Sequence, residues 1–272
     1  MCARYTLTAE EKEILKSNPL RIVGEFTPDP NIAVTEQGLV ITSDEPDIIQ
    51  IMNFGIIPQD NETPALIYDT WNVRSEEVMD KPTYRPLMEK RQTCLILMDS
   101  FYEPEHVSDT DNRPWLFLTE RKVFCVAGLW DEWTDPVTSE KHRRFAMMTC
   151  EANKTVAEVH DTNRMVVILP KAWENLWLDK KSSIESLLAL CVPYPDSKMN
   201  RYRVSKKLNA VSTKKRPNKD MSLINPVEDE PRQQSFFSEQ DVPPKPAERK
   251  FKTKTQKNKP TRKGPPAPDL FS

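Results

Sequence analysis

Short apolar or alternating runs, each bounded by Pro, Asp, Asn or Gly, recur along most of the chain: Ile32–Val34, Gly38–Thr42, Ile48–Phe54, Thr93–Met98, Trp115–Thr119, Val123–Leu129, Phe145–Thr149 and Met165–Leu169. Runs of this length, rich in β-branched and aromatic residues, predict strands. Helical spacing is rarer. Thr8 with Glu11 three residues on predicts a capping box, opening a short helix through Ile14 and Leu15 that stops near Asn18-Pro19. Pro170 in a first-turn position predicts a helix through Trp173, Leu176 and Trp177, and Ser182 to Leu190 predicts another. Ser75 to Lys90 is polar and broken by Pro82 and Pro86. With few strand–helix–strand alternations, the pattern favours an α+β domain with a mainly antiparallel, barrel-like β core and flanking helices over a doubly wound parallel sheet. The last strand-like piece is Tyr202–Val204, and from about Ser212 the sequence turns polar and proline-punctuated. A domain over 1–212 and a disordered, basic, Pro-rich tail over 213–272 are expected, with no internal repeat.

Charge sharpens that division. The formal net charge is −2, yet from Pro243 to Ser272 nine Lys or Arg face only Glu248 and Asp269, so the tail carries +7 and the rest −9. Such a stretch buries too little apolar surface to offset its ordering entropy, and electrostatic attraction to nucleic acid is its expected use. No run approaches the ~18 apolar residues of a membrane span, and Met-Cys-Ala-Arg-Tyr-Thr at the start lacks a signal peptide's apolar stretch. A cytoplasmic, nucleoid-associated monomer with no membrane partner is expected. The cysteines (Cys2, Cys94, Cys125, Cys150, Cys191) are odd in number and show no CxxC spacing. Free thiols are therefore expected, with neither a disulfide framework nor a metal site.

Cys2 is the candidate for chemistry. Methionine aminopeptidase accepts small second residues, and removal of Met1 would leave a terminal cysteine whose α-amine and thiol form a 1,2-aminothiol. Their reference pKa values, near ~8 and ~8.5, leave both partly nucleophilic at neutral pH. Such a pair can condense with an aldehyde, the amine forming a Schiff base and the sulfur closing a thiazolidine on the same carbon. Alternatively, an N-terminal cysteine serves as an amidohydrolase nucleophile with its own amine as base.

Several further segments occur in order: Met1-Cys2-Ala3-Arg4-Tyr5, Asn72-Val73-Arg74-Ser75-Glu76, Cys94 through Glu103, Ala127-Gly128-Leu129-Trp130, and His160 followed by Arg164-Met165-Val166-Val167-Ile168-Leu169. Together they resemble the SOS response-associated peptidase (SRAP) family of abasic-site processing proteins, across roughly residues 1–210. The resemblance implies DNA repair by covalent capture of abasic sites in single-stranded DNA, shielding the lesion, with no metal or organic cofactor. It also implies autoproteolytic and strand-cleaving (lyase) activities as further possibilities for the same centre. Its nucleophile falls on Cys2, its asparagine on Asn72, its glutamate on Glu103 and its histidine on His160. Glu103 would open the sugar hemiacetal and shuttle protons during imine formation. Asn72 would orient the amine or sugar without titrating. His160 would exchange protons with the sugar oxygen and aid β-elimination. Arg4 and Arg74 match arginines that lie against DNA phosphates.

The chain departs from the family's pattern in places. Where a Trp-Gly-Leu-Ile-Pro segment with a second aromatic is usual, it reads Phe54-Gly55-Ile56-Ile57-Pro58. Phe54 is thus the expected base-stacking surface, with Trp71 as a substitute for the missing partner. Asp161-Thr162-Asn163 lengthen the usual one-residue gap between His160 and Arg164. In the tail, Gln233-Gln234-Ser235-Phe236-Phe237 and Pro268-Asp269-Leu270-Phe271 look like bacterial sliding-clamp ligands, which seat paired apolar side chains in a surface pocket. Two other readings stand beside abasic-site capture: an N-terminal-nucleophile cysteine peptidase, and a non-catalytic single-strand binding module.

Overall fold

The structure, a computed structural model, describes residues 2–66, 68–209 and 218–227. In chain order the strands are β1 (Arg4–Leu7), β2 (Arg21–Val23), β3 (Asp29–Ala33), β4 (Gln37–Thr42), β5 (Ile48–Phe54), β6 (Asn72–Arg74), β7 (Thr93–Met98), β8 (Ser100–Ser108), β9 (Asp111–Thr119), β10 (Phe124–Thr134), β11 (Lys141–Glu151), β12 (Arg164–Val166), β13 (Ile168–Leu169) and β14 (Met199–Arg203). The α-helices are α1 (Glu11–Ser17), α2 (Arg85–Lys90), α3 (Lys154–Ala157), α4 (Lys171–Leu178) and α5 (Ile184–Ala189). None is long and apolar enough to cross a membrane.

The barrel-like core is present. β5, β4, β7, β10 and β11 pair antiparallel in that order, and β11 returns to pair with β5 in parallel, closing a five-stranded ring. Every residue of β7 is buried, so its apolar run does not alternate: both faces are covered. Helix α4 seals one side. Trp177 is fully buried there, and its indole N–H donates to the carbonyls of Cys94 and Gly128. A second, antiparallel sheet runs β14-β9-β8-β1-β3. Tyr5 of β1 locks it onto the barrel, edge-on to Phe54 and lying across Gly38, where a Cβ would come within 1.9 Å of its hydroxyl.

Three expectations are corrected. Thr8 does not cap α1: its amide and hydroxyl, with the Ala9 amide, donate to the Asp99 carboxylate, and the helix begins at Glu11 without a side-chain cap. Phe54 is not a stacking surface. It is wholly buried, stacked on Phe145 at 5.2 Å, because β5 turns it into the closed ring where no base can reach it. The folded region also passes Ser212: residues 218–227 return to the domain, with Leu223 buried and Val204 bridged to Pro226, and the compact unit ends at Val227. Beyond it, the candidate clamp-ligand segments at Gln234, Phe236, Phe237, Leu270 and Phe271 lie outside the described residues.

Candidate active site

Strand β1 brings Cys2 to the interior. It is held on both sides, Tyr5 facing Ile32 of β3 and Phe101 of β8, so the residues just before it have little freedom. Cys2 is only 1% exposed, and its thiol points to the Arg4 carbonyl at 3.3 Å. From the barrel side, β6 pairs in parallel with β11 and presents Asn72, whose Nδ2 donates to the Cys2 carbonyl at 2.7 Å. The amide oxygen of Asn72 is buried with no hydrogen-bond partner among the described residues. A buried acceptor of this kind is costly unless a ligand satisfies it.

Glu103 arrives on β8. Alternation places it on the same face as the buried Phe101, and it is itself buried. The strand tolerates Pro104 because β1 pairs only with Phe101 and Ser100, so the missing N–H of Pro104 faces no neighbouring strand on that side. His160 follows α3, whose N-terminus is capped by the Asn153 side chain accepting from the Val156 amide at 3.0 Å. The longer segment to Arg164 is absorbed by a turn with Asn163 in the left-handed region at φ 51°. His160 is buried, and its Nε2 lies 3.4 Å from Glu103 Oε2.

Burial sets the protonation states. It pushes the Glu103 carboxyl up to about 8 and lowers the His160 imidazole. At neutral pH the pair is therefore a carboxylic acid beside a neutral ring. The tautomer follows from the other nitrogen: Nδ1 sits 3.2 Å from the Arg164 carbonyl, which can only accept, so Nδ1 carries the hydrogen and Nε2 keeps its lone pair, 3.3 Å from the Thr162 hydroxyl and facing Glu103. Burial, and secondarily the nearby Glu103, also drive the Cys2 thiol far above its ordinary range. The expectation of a partly ionised thiol is thus corrected: the sulfur rests as S–H.

Two openings flank this centre. A cleft of about 260 Å³ is lined by Ala3, Arg4, Tyr102, Glu103, Asn112 and Leu208. Another, of about 450 Å³, is lined by Asn72, Arg74, Asp69, Thr70 and Tyr84 among others. The structure thus brings Cys2, Asn72, Glu103 and His160 together and sets Arg4 and Arg74 at separate approaches. Arg4 is half-buried, whereas Arg74 is exposed and paired with Glu77 at 2.9 Å. Trp71 packs against the core. Tyr68, which sequence reasoning did not single out, is 63% exposed and precedes Asp69 and Thr70 of the second cleft's lining. Arg164, read from the sequence only as part of a motif, forks onto the Glu76 carboxylate, and its backbone carbonyl orients His160. Among the described residues no cluster has the make-up of a metal site.

Comparison with known proteins yields one family and consistent relatives. The model of the SOS response associated peptidase (SRAP) family matches residues 1–211. Abasic site processing protein YoaM of Bacillus subtilis (strain 168) is 31% identical over 222 residues, covering 77% of this chain and 93% of the relative. Abasic site processing protein YoqW of Bacillus phage SPbeta is 30% identical over 217 residues, covering 77% and 95%. A crystal structure of a protein from Bacteroides thetaiotaomicron superposes with a TM-score of 0.72 at 21% identity, over 84% of this chain and 100% of that one.

Proposed function

The chain belongs to the SOS response associated peptidase family, and on that premise we propose that it captures abasic sites in single-stranded DNA as a covalent adduct on Cys2, shielding the lesion during repair. The convergence of Cys2, Asn72, a protonated Glu103 and His160 at the end of β1 carries this reading.

With Met1 removed, the α-amine of Cys2 attacks C1′ of the opened deoxyribose. The neutral Glu103 acid gives its proton to the departing hydroxyl, so one water leaves and an imine forms. The Cys2 sulfur then adds to the same carbon. The imine is left protonated and Glu103 ionised by the first step, so the Glu103 carboxylate takes the S–H proton as the sulfur adds; a thiazolidine closes with Glu103 returned to its acid form and no further loss of atoms. Because the thiol rests protonated, amine attack precedes ring closure. The unpartnered oxygen of Asn72 suits an amine or sugar-hydroxyl donor. His160, with Nε2 unprotonated, suits proton exchange with the sugar oxygen, and the same base would serve strand cleavage by β-elimination. Arg4 and Arg74 suit phosphates on the two approaches, and Tyr68 is the aromatic placed to stack on a base.

A peptidase reading uses the same Cys2 with an amide as electrophile. The two are separated by incubating Met1-free protein with a uracil-glycosylase-treated single strand, then denaturing electrophoresis and intact mass. The expected product weighs protein plus DNA less one water and is lost in Cys2→Ser, which retains only a borohydride-trappable imine. Absence of any adduct with the wild type rejects capture.

A further inference from the structure

The family match ends at residue 211, yet residues 218–227 pack against residues that line the site's cleft. Leu223 closes a small apolar cluster with Tyr102, Leu116, Val204 and Leu208, and Tyr102 and Leu208 line the cleft that holds Arg4 and Glu103. The polar contacts are more specific. Asn31 is wholly buried on β3. Its Oδ1 accepts from Arg4 Nη1 at 3.0 Å, while its Nδ2 donates to the Asn218 carbonyl at 2.9 Å. The amide orientation is thereby fixed, since a donor occupies one end and an acceptor the other. Lys219 secures the same strand, donating to Asp29 at 2.6 Å, to the Asn31 carbonyl at 2.6 Å and to Glu36 at 2.7 Å. Glu36 acts electrostatically on Arg4. Without Lys219, the Glu36 carboxylate would compete with a phosphate for the guanidinium.

The geometry points to residues 218–227 as a strap that positions Arg4 for a DNA phosphate, with Asn31 as the positioning residue between them. The inference rests on the capture reading above and deepens it: the strap, outside the segment the family model matches, sets how the substrate strand is held. Arg4 keeps one fork for Asn31, which aims the guanidinium along the cleft, and the strap carbonyl keeps Asn31 from rotating away.

The test is single-turnover crosslinking of full-length, Met1-free protein to a strand bearing one abasic site, measured against protein concentration at several KCl concentrations. Asn31→Ala is expected to raise the half-saturating concentration roughly tenfold, as loss of a charge-assisted hydrogen bond would. It should flatten the salt dependence by about 0.7 in log–log slope, one phosphate's share on a single strand, and leave the saturated rate within about twofold. Arg4→Ala should show at least the same rise in half-saturating concentration and the same loss of salt slope, and the double variant should be no worse than Arg4→Ala. Lys219→Met should move the same way, and Lys219→Arg should restore wild-type behaviour. A purely structural role would lower the melting temperature with the salt slope unchanged, or give additive effects in the double variant; either overturns the inference. Should Asn31→Ala fail to fold, Lys219→Met alone and with Arg4→Ala decides by the same criteria. If the wild type forms no adduct, the capture reading is what has failed, and fluorescence anisotropy of an undamaged strand with the same variants still tests the strap.

Discussion

Glu103→Gln separates what the site costs from what it does. Glutamine keeps the shape of the protonated acid and can donate its amide hydrogen to His160 Nε2. The native carboxyl is raised from an ordinary 4.5 to about 8, because burial disfavours its charge. A group whose folded pKa is raised contributes stability that is complete below the unfolded value and is lost as pH climbs through the folded one. Each pH unit in that window removes about 1.4 kcal/mol, so by pH 7 the loss is on the order of 3 kcal/mol. Against a domain stability of about 5–15 kcal/mol, that is a large fraction. Urea unfolding by circular dichroism across this window checks it. The advantage of Glu103→Gln over wild type should widen with pH up to about 8 and then level off, while its crosslinking rate falls by about 10²–10⁴, the usual share of a general acid. Parallel stability profiles for the two proteins would refute the assignment of a proton to Glu103.

The rate of adduct formation in the wild type should itself decline above about pH 8 as Glu103 ionises, which a pH–rate profile under single-turnover conditions would show. Phe54→Leu should lower stability by roughly 1–3 kcal/mol through lost ring stacking in the barrel and leave the salt dependence of DNA binding untouched; calorimetry and anisotropy together decide. Tyr68→Ala should do the reverse, holding the melting temperature while weakening single-strand binding by about 1–3 kcal/mol.

The sequence patterns located the barrel strands well because their apolar runs are long and sharply bounded. They failed at β1, β6 and β8, the strands that bring Cys2, Asn72 and Glu103 together. Asn72 and Glu103 sit in short or charged segments where buried polar residues break the period-2 signal, and Pro104 disguises β8 as a turn. Phe54 was misread for the opposite reason: an apolar residue at a strand end looks alike whether it faces solvent or a closed ring. The four residues of the centre were legible through their ordered motifs, but their protonation states were not, since these depend on burial and on a carbonyl distant from Glu103 in sequence. Residues 218–227 offered Leu223 and Ile224 as buried or packed side chains amid polar neighbours, too little to separate a strap from a tail.

The enclosure of Cys2 bears on how the protein is handled. On the capture reading the chemistry needs the free α-amine of Cys2, and any residue ahead of it ties that amine up as an amide that cannot form an imine. An affinity tag, or a remnant left by incomplete processing, would give a well-folded preparation with normal spectra and no chemistry. Purification handles belong at the other end of the chain, and the mass of the first residue is the quality control that matters before any negative result is believed.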